Sequence, residues 1–303
     1  MRFSIWPAPV WPWEEILELT RHCEATGWDG VYFADHFMPG TRETREPQDG
    51  PTMECWSAIA GLAAAVPRLR LGTLVSSITY RHPAVLANIA AAVDHIGGGR
   101  LLLGVGAGWQ ENEHGAYGIR LGSVKERLDR LEEAVQVLRG LLDEPRTTFH
   151  GEHFRITDAP NEPKPLQRPL PLLIGGSGEK RTMRIAARYA DEWNAWTDPE
   201  TLVHKRSVLH GHCEALGRDP AEIAISTQAF LFLSLDEGWL AGKGAGLGRP
   251  TIVGTPSQVV DVVGRYQEAG CDELIIPDWT MGSMQRRIDT CDLFIEEVAA
   301  QFR

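Results

Sequence analysis

Lysine is scarce in this chain, with 5 residues against 25 arginines, and the 30 basic residues fall short of 41 acidic ones, giving a net charge of −11. No basic stripe is left over to neutralise a phosphate backbone, which excludes a nucleic-acid-binding class. Cysteine is equally sparse: Cys23, Cys55, Cys213, Cys271 and Cys291 are odd in number, far apart, and include no C-x-x-C pair. That pattern excludes a disulfide framework and a structural zinc site, and it suits a reducing cytoplasm. Long apolar runs are missing too, since the stretch from Ala84 to Val93 is already broken by Asn88, so no membrane-spanning helix is expected. The first fifteen residues lack a continuous apolar core and soon reach Glu14 and Glu15, unlike a signal peptide.

What the chain does have is alternation. Hydrophobic residues make up 43% of its 303 residues, enough for a sizeable core. Strands are predicted at 2–6, 30–35, 70–75, 100–107, 170–176, 192–196, 223–234 and 272–277. Helices are predicted between and after them at 13–25, 53–66, 83–96, 123–142, 179–189, 199–216, 256–269 and 283–302. In the fourth helix Leu128, Leu131, Val135, Leu138 and Leu142 recur at spacings of three and four, marking its buried face. Near-continuous apolar strands, each followed by a helix, suit a parallel sheet covered on both sides. Eight such units in this length predict a (β/α)₈ TIM barrel, with a doubly wound sheet as the competitor. The whole of 1–303 is read as one domain carrying insertions near 37–52, 145–169 and 236–254. The first and third follow strands and belong at the C-terminal mouth, where barrel chemistry occurs. The second follows a helix and is expected to hold a small hairpin around 150–156. The third is rich in glycine and is a candidate lid.

Several positions stand out chemically. Asp35 and His36 end the second strand, where an acid and an imidazole can reach a ligand; the plain alternative is a local cap. Gly104, Gly106 and Gly108 close the fourth strand, but Trp109 stands where a dinucleotide-binding G-x-G-x-x-G needs its last glycine. In a barrel those glycines would let a flat ligand lie close to the backbone. Glu113 and His114, next along the chain, read as a solvated loop pair. Gly175, Gly176, Ser177 and Gly178 end the fifth strand and run into a helix expected from Glu179, with Lys180 and Arg181 in its first turn. Such a loop binds phosphate or is simply a turn with a serine cap. Ten tryptophans are many for this length, and Trp109, Trp193 and Trp196 lie at or beyond strand ends, where they could wall a pocket. His210 and His212 lie two apart on a helix and do not share a face, so no metal site is assigned.

Four separated segments together resemble the bacterial-luciferase-like oxidoreductases: YFADHF at 32–37, LGTLVSSITYRHPAVLANIAA at 71–91, GGRLLLGVGAGWQENEH at 98–114 and PLLIGGSGEKRTMRIAARYADEWN at 171–194. Within that family they are most similar to the branch that uses the deazaflavin coenzyme F420. The resemblance implies a (β/α)₈ barrel of the luciferase-like type, commonly a homodimer, with the cofactor ring at the C-terminal mouth. It implies that Asp35 and His36 lie beside the reactive face of the ring, and that Thr73, Leu74, Val75 and Ser76 back it through a non-prolyl cis peptide. It further implies that Ala107, Gly108 and Asn112 touch the ring or its side chain, and that Gly175, Gly176, Ser177 and Gly178 hold the phosphate. Arg42, Arg45 and Arg120 are candidate liners of a groove for the acidic glutamyl tail.

There are two departures from the family's sugar-phosphate dehydrogenases. Trp109 replaces the glutamate proposed there as proton donor, and Gly40 replaces an aromatic that follows the Asp-His pair. The expected reaction is therefore hydride transfer between the deazaflavin and a small, fairly apolar substrate, with His36 acting on the accompanying proton or charge. A flavin mononucleotide (FMN) monooxygenase is the alternative, because both cofactors carry a phosphate and a tricyclic ring.

Overall fold

The computed structural model describes residues 1–40 and 46–303. The chain begins with β1 (Arg2–Trp6), α1 (Trp13–Thr26), β2 (Gly30–Phe33), α2 (Cys55–Ala65), β3 (Arg70–Thr73), the two-residue β4 (Ser76–Ser77) and α3 (Pro83–Ile96). It continues with β5 (Leu101–Gly106), α4 (Glu111–Ala116), α5 (Val124–Asp143), β6 (Thr147–His150), β7 (Arg155–Ala159), β8 (Leu172–Gly175), α6 (Thr182–Tyr189), β9 (Glu192–Ala195) and α7 (Pro199–Leu216). The last part comprises β10 (Ala224–Gln228), β11 (Phe230–Leu233), α8 (Glu237–Leu240), β12 (Thr251–Gly254), α9 (Pro256–Glu268), β13 (Glu273–Pro277) and α10 (Met284–Leu293).

Parallel strands run in the order β3, β2, β1, β13, β10, β9, β8, β5, and a β3–β5 pairing closes the ring. With β4 continuing the line of β3 along the end of β5, the barrel has eight staves, as the alternation predicts. The local signals act where expected. Pro83 opens α3 with its missing N–H at no cost, Ser123 caps α5 by accepting from the Glu126 N–H, and Gly27 ends α1 at a φ of 95°.

Strand parity divides the core in two. Phe3, Ile5, Val31, Leu103, Ile174 and their like face the helices in the larger cluster. Trp6, Tyr32, Ala34, Leu74, Leu102, Leu173 and Ile275 fill the barrel's interior. At the N-terminal end the interior turns ionic. The Arg70 guanidinium donates to Glu192 and Glu273 at 2.9 Å each, and Arg2 reaches Glu273 at 2.9 Å. Arg2, Arg70, Glu192 and Glu273 each open their strand and point inward, so the floor is plugged by paired charge and any ligand must enter from the opposite rim.

The structure corrects several boundaries. The stave expected at 70–75 stops at Thr73 and resumes at Ser76, with a cis peptide between Leu74 and Val75. The strand expected at 223–234 divides at Ala229; β11 leaves the barrel and pairs in parallel with β12, which anchors the third insertion. The second insertion forms the antiparallel hairpin β6–β7. The closing helix is regular only to Leu293, then widens into a five-residue π turn and a 3₁₀ turn. Arg42 and Arg45, candidate tail liners, lie outside the described residues.

Candidate active site

At the C-terminal mouth, His36 follows β2 and its ring is about one quarter exposed. Its Nδ1 lies 2.7 Å from Oε1 of Glu113, on α4, and the Phe37 N–H donates to Oε2 of the same carboxylate at 2.7 Å. The Tyr80 hydroxyl also donates to Oε1. Glu113 has no exposed surface, so the solvated loop pair expected at 113–114 is instead a buried support. Burial pushes its carboxyl up. The hydrogen bond from His36 and the attraction of its charged form, with the hydrogen bonds from Phe37 and Tyr80, outweigh that and hold it below the usual range. Burial, with the Glu113 charge beside it, pushes the Tyr80 phenol far up, so it stays a donor. Sequence reasoning missed this arrangement because nothing predicted the short helix α4, which turns Glu113 back under His36.

His114, one residue on, is locked differently. Its Nδ1 lies 2.6 Å from the Gln110 carbonyl, which can only accept, so Nε2 takes a hydrogen bond from the Thr79 hydroxyl at 2.7 Å. Thr79 then accepts from Ser77 at 2.6 Å. Burial keeps the imidazole below its ordinary pKa, in the neutral form this strap requires. Gly108, at a φ of 81°, lies against the strap, and a Cβ there would come within 2.5 Å of the Ser77 Oγ.

Asp35 is not a mouth residue. Its side chain is fully buried, with Oδ2 accepting from Arg81 at 2.6 Å and from the Ser77 N–H at 3.3 Å. Burial raises its pKa while Arg81 opposes the rise, and Arg81 is anchored in turn by Glu54, the N-cap of α2. Asp35 therefore braces the loop that carries His36.

The remaining expectations divide in the same way. Thr73 spends its hydroxyl on Gly104, and Ser76 accepts the Trp56 indole N–H at 2.9 Å, so both are buried scaffold. Asn112 is buried as well, accepting from the Glu113 N–H and reaching the Pro39 carbonyl. Leu74 belongs to the interior cluster, with Val75 packed against it, while Ala107 and Gly108 are half-buried at the rim. The glycines near them do not leave a bare backbone for a ligand. A Cβ on Gly104 would overlap the Thr73 carbonyl, and on Gly106 or Gly175 it would lie 2.6 Å or 2.8 Å from a Val75 methyl. These glycines make room for the Leu74–Val75 bend.

Trp193 corrects another expectation. It has no exposed surface, faces the helices, and donates its indole N–H to the Gly176 carbonyl at 2.9 Å. It supports the 175–178 loop from behind. Gly176 adopts a φ of 131°, while Ser177 and Gly178 are exposed, and among the described residues their N–H groups have no partner. The helix after the loop starts at Thr182, not at Glu179, and Arg181 is drawn away to Asp129 at 2.8 Å. A cation not foreseen at this loop is Lys205 from α7, which donates to the Ser177 carbonyl at 3.0 Å and to Glu179 at 2.6 Å. Its position 28 residues downstream hid it from the sequence. Arg120 points outward and pairs with Glu126 at 2.9 Å.

Aromatic side chains cluster near the C-terminal ends of β1, β9 and β13. Trp196 after β9, Trp6 at the end of β1, Trp279 after β13 and Phe230 in β11 form one patch with ring centroids 4.7–6.2 Å apart. Arg249 lies over the Trp196 ring at 4.8 Å. Trp109, 40% exposed, stands edge-on to His36 at 5.5 Å. Trp6 and Trp279 join Trp196 only because β1, β13, β10 and β9 follow one another around the barrel. The rim thus carries an imidazole backed by a carboxylate, an exposed loop at 176–178 and a cluster of aromatic rings.

A family model described as luciferase-like monooxygenase matches residues 3–238. An F420-dependent glucose-6-phosphate dehydrogenase of Intrasporangium calvum is 35% identical over 179 residues, 58% of this chain and 50% of that protein. This chain thus spans about half the length of that relative. An F420-dependent hydroxymycolic acid dehydrogenase of Mycobacterium tuberculosis is 29% identical over 273 residues, 89% of this chain and 72% of that one. Among solved structures, an F420-dependent secondary alcohol dehydrogenase in complex with an F420-acetone adduct superposes with a TM-score of 0.83 at 20% identity, covering 99% of this chain and 98% of that one.

Proposed function

The chain belongs to the luciferase-like monooxygenase family, and from that premise we propose that it is an oxidoreductase using coenzyme F420 with a small, fairly apolar organic substrate. The observation that carries the reading is the pairing, on one rim, of a carboxylate-backed His36 with the open 176–178 loop. The names of its relatives point the same way.

The residues fit the cofactor's phosphate. The Ser177 and Gly178 N–H groups and the Lys205 ammonium are the donors that an anion needs there. Trp193 holds the loop open from beneath. When bound, the deazaflavin exchanges a hydride with the substrate. The protein's own part is to place the substrate against the wall of Trp6, Trp196, Trp279 and Phe230, and to handle at His36 the proton that accompanies the hydride. That wall, with Trp109 beside His36, favours a substrate less polar than a sugar phosphate.

We read residues 1–303 as one domain, working in the cytoplasm as a homodimer without a nucleic-acid partner. Among the described residues no helix is long and apolar enough to cross a membrane. Light scattering of the purified protein tests the dimer.

The deciding experiment is titration of the apoprotein with F420 and with FMN, followed by single turnover with a panel of alcohols and enones. Tight binding of the deazaflavin and hydride transfer without oxygen are expected. Product formation that requires oxygen and FMN would replace this reading with the monooxygenase one. His36→Ala should lower turnover by about 10²–10⁴-fold, the usual worth of a positioned acid or base, while cofactor affinity changes little.

A further inference from the structure

We propose that Glu113 and Tyr80 are positioning residues that fix His36 in the Nδ1–H tautomer, so that a bare Nε2 faces the mouth and receives the substrate's hydroxyl proton. The proposal rests on the oxidoreductase reading above for its substrate, but its geometry stands apart from the cofactor.

An ionised carboxylate has no proton to give. With Glu113 charged, the 2.7 Å contact from its Oε1 requires the hydrogen to sit on His36 Nδ1. A neutral imidazole then has an unprotonated Nε2, and among the described residues Nε2 has no hydrogen-bond partner. Glu113 cannot turn away, because the Phe37 N–H holds Oε2 and the Tyr80 hydroxyl shares Oε1. Tyr80 is held in turn by stacking on His114, with centroids 4.7 Å apart, and against the Phe37 ring at the same distance. His114 is itself fixed by Thr79 and Gln110. Among the described residues, the charged or titratable groups around His36 include Glu113, Tyr80, His114 and Asp35, and Arg81 pairs with the last of these. Among the described residues, Glu113 is the charged group hydrogen-bonded to the ring. A carboxylate buried behind an imidazole both selects the tautomer and stabilises the imidazolium that forms.

In the oxidising direction a bound deazaflavin would supply the two-electron acceptor for the substrate's C–H hydride, while the O–H bond gives its proton to His36 Nε2. The electron pair of the O–H bond becomes the second bond of the new carbonyl. The imidazolium keeps its proton on Nδ1, donated as a hydrogen bond to the Glu113 carboxylate, and reduction runs the same path backwards.

The first test needs neither cofactor nor substrate. ¹⁵N spectra of histidine-labelled protein near neutral pH, with the His36 signal assigned by its loss in His36→Ala, report which ring nitrogen carries the proton. The Nδ1–H form is expected in the wild type, and an Nε2–H form would overturn the proposal. In Glu113→Gln the amide can also donate, so the Nδ1–H form should cease to dominate. Turnover should then fall about 100-fold or more with cofactor affinity unchanged. A folded Glu113→Gln protein with turnover within threefold of wild type, or an unmoved tautomer, would overturn it. Tyr80→Phe leaves the His36 and Phe37 bonds in place and should cost less than about tenfold. A larger loss with the tautomer intact would overturn the role given to Tyr80. Should Glu113→Gln not fold, the wild-type tautomer still decides. Failure of F420 to bind would instead strike the cofactor reading and leave the tautomer result standing.

Discussion

Val75 and the glycines around it lend themselves to a double-mutant cycle. A Cβ added at Gly175 would lie 2.8 Å from one Val75 methyl and 3.2 Å from the other, and a Cβ at Gly106 would lie 2.6 Å from a methyl. Carbon atoms pack without penalty at about 3.5–4.0 Å, so each change asks the valine to retreat by roughly 0.7–0.9 Å. Close-packed surroundings do not give that much without strain, and overpacking of this kind costs about 1–3 kcal/mol. Neither glycine has a positive φ, so the backbone adds no penalty of its own. Val75→Ala removes both obstructing methyls at a cost of about 1–2 kcal/mol, since the side chain is only half-buried. In the Val75→Ala background, Gly175→Ala should then be close to neutral, giving a coupling of about 1–3 kcal/mol in favour of the pair. Gly104→Ala is the control. Its obstruction is the Thr73 carbonyl, part of the backbone, so Val75→Ala should not rescue it. Urea unfolding followed by tryptophan fluorescence measures all the variants, read as midpoint shifts at a common slope. Additivity of Gly175→Ala and Val75→Ala within about 0.5 kcal/mol, or equal rescue of Gly104→Ala, would show that these glycines answer to something other than Val75.

Further expectations concern the rim and the first loop. Asp278, buried where its Oδ1 accepts from the Ala8 N–H at 2.7 Å, has its pKa pushed up to about 6, chiefly by burial. An acid raised in the folded state is most favourable below its unfolded pKa. Its contribution is therefore lost as pH climbs from about 4 to about 6, an effect on the order of 3 kcal/mol. Asp278→Asn should gain on wild type across that window, and a stability difference that does not vary with pH would contradict the assignment. Lys205→Met should weaken binding of the phosphate-bearing cofactor about 10- to 100-fold, the worth of one charged hydrogen bond, and should reduce the salt dependence of binding. Equal affinity by fluorescence titration would place the phosphate elsewhere.

Much of the architecture was legible before any coordinates. Apolar runs buried on both faces, each followed by a helix with a readable start, specify a parallel barrel, and the order of units puts His36 and the 175–178 loop on one rim. The site was legible only in part. His36 and the loop were found because a strand end and a glycine turn are local signals. Lys205, Trp6 and Trp279 were not, because their contribution depends on which strands and helices are neighbours around the ring.

The sequence by itself determined the period of each element, the caps that start it and the rim to which each loop belongs, since these follow from side chains near one another along the chain. Tertiary structure alone decided what each polar group faces. Asp35 and His36 are adjacent in sequence, yet strand parity and Arg81 turn the first into the scaffold, while Glu113, 77 residues away, holds the second at the mouth. Trp193 and Trp196 lie three residues apart, and one supports the loop from the core while the other lines the mouth. Hydrogen bonds and desolvation act over a few ångströms, and only closure of the barrel brings those partners within that range.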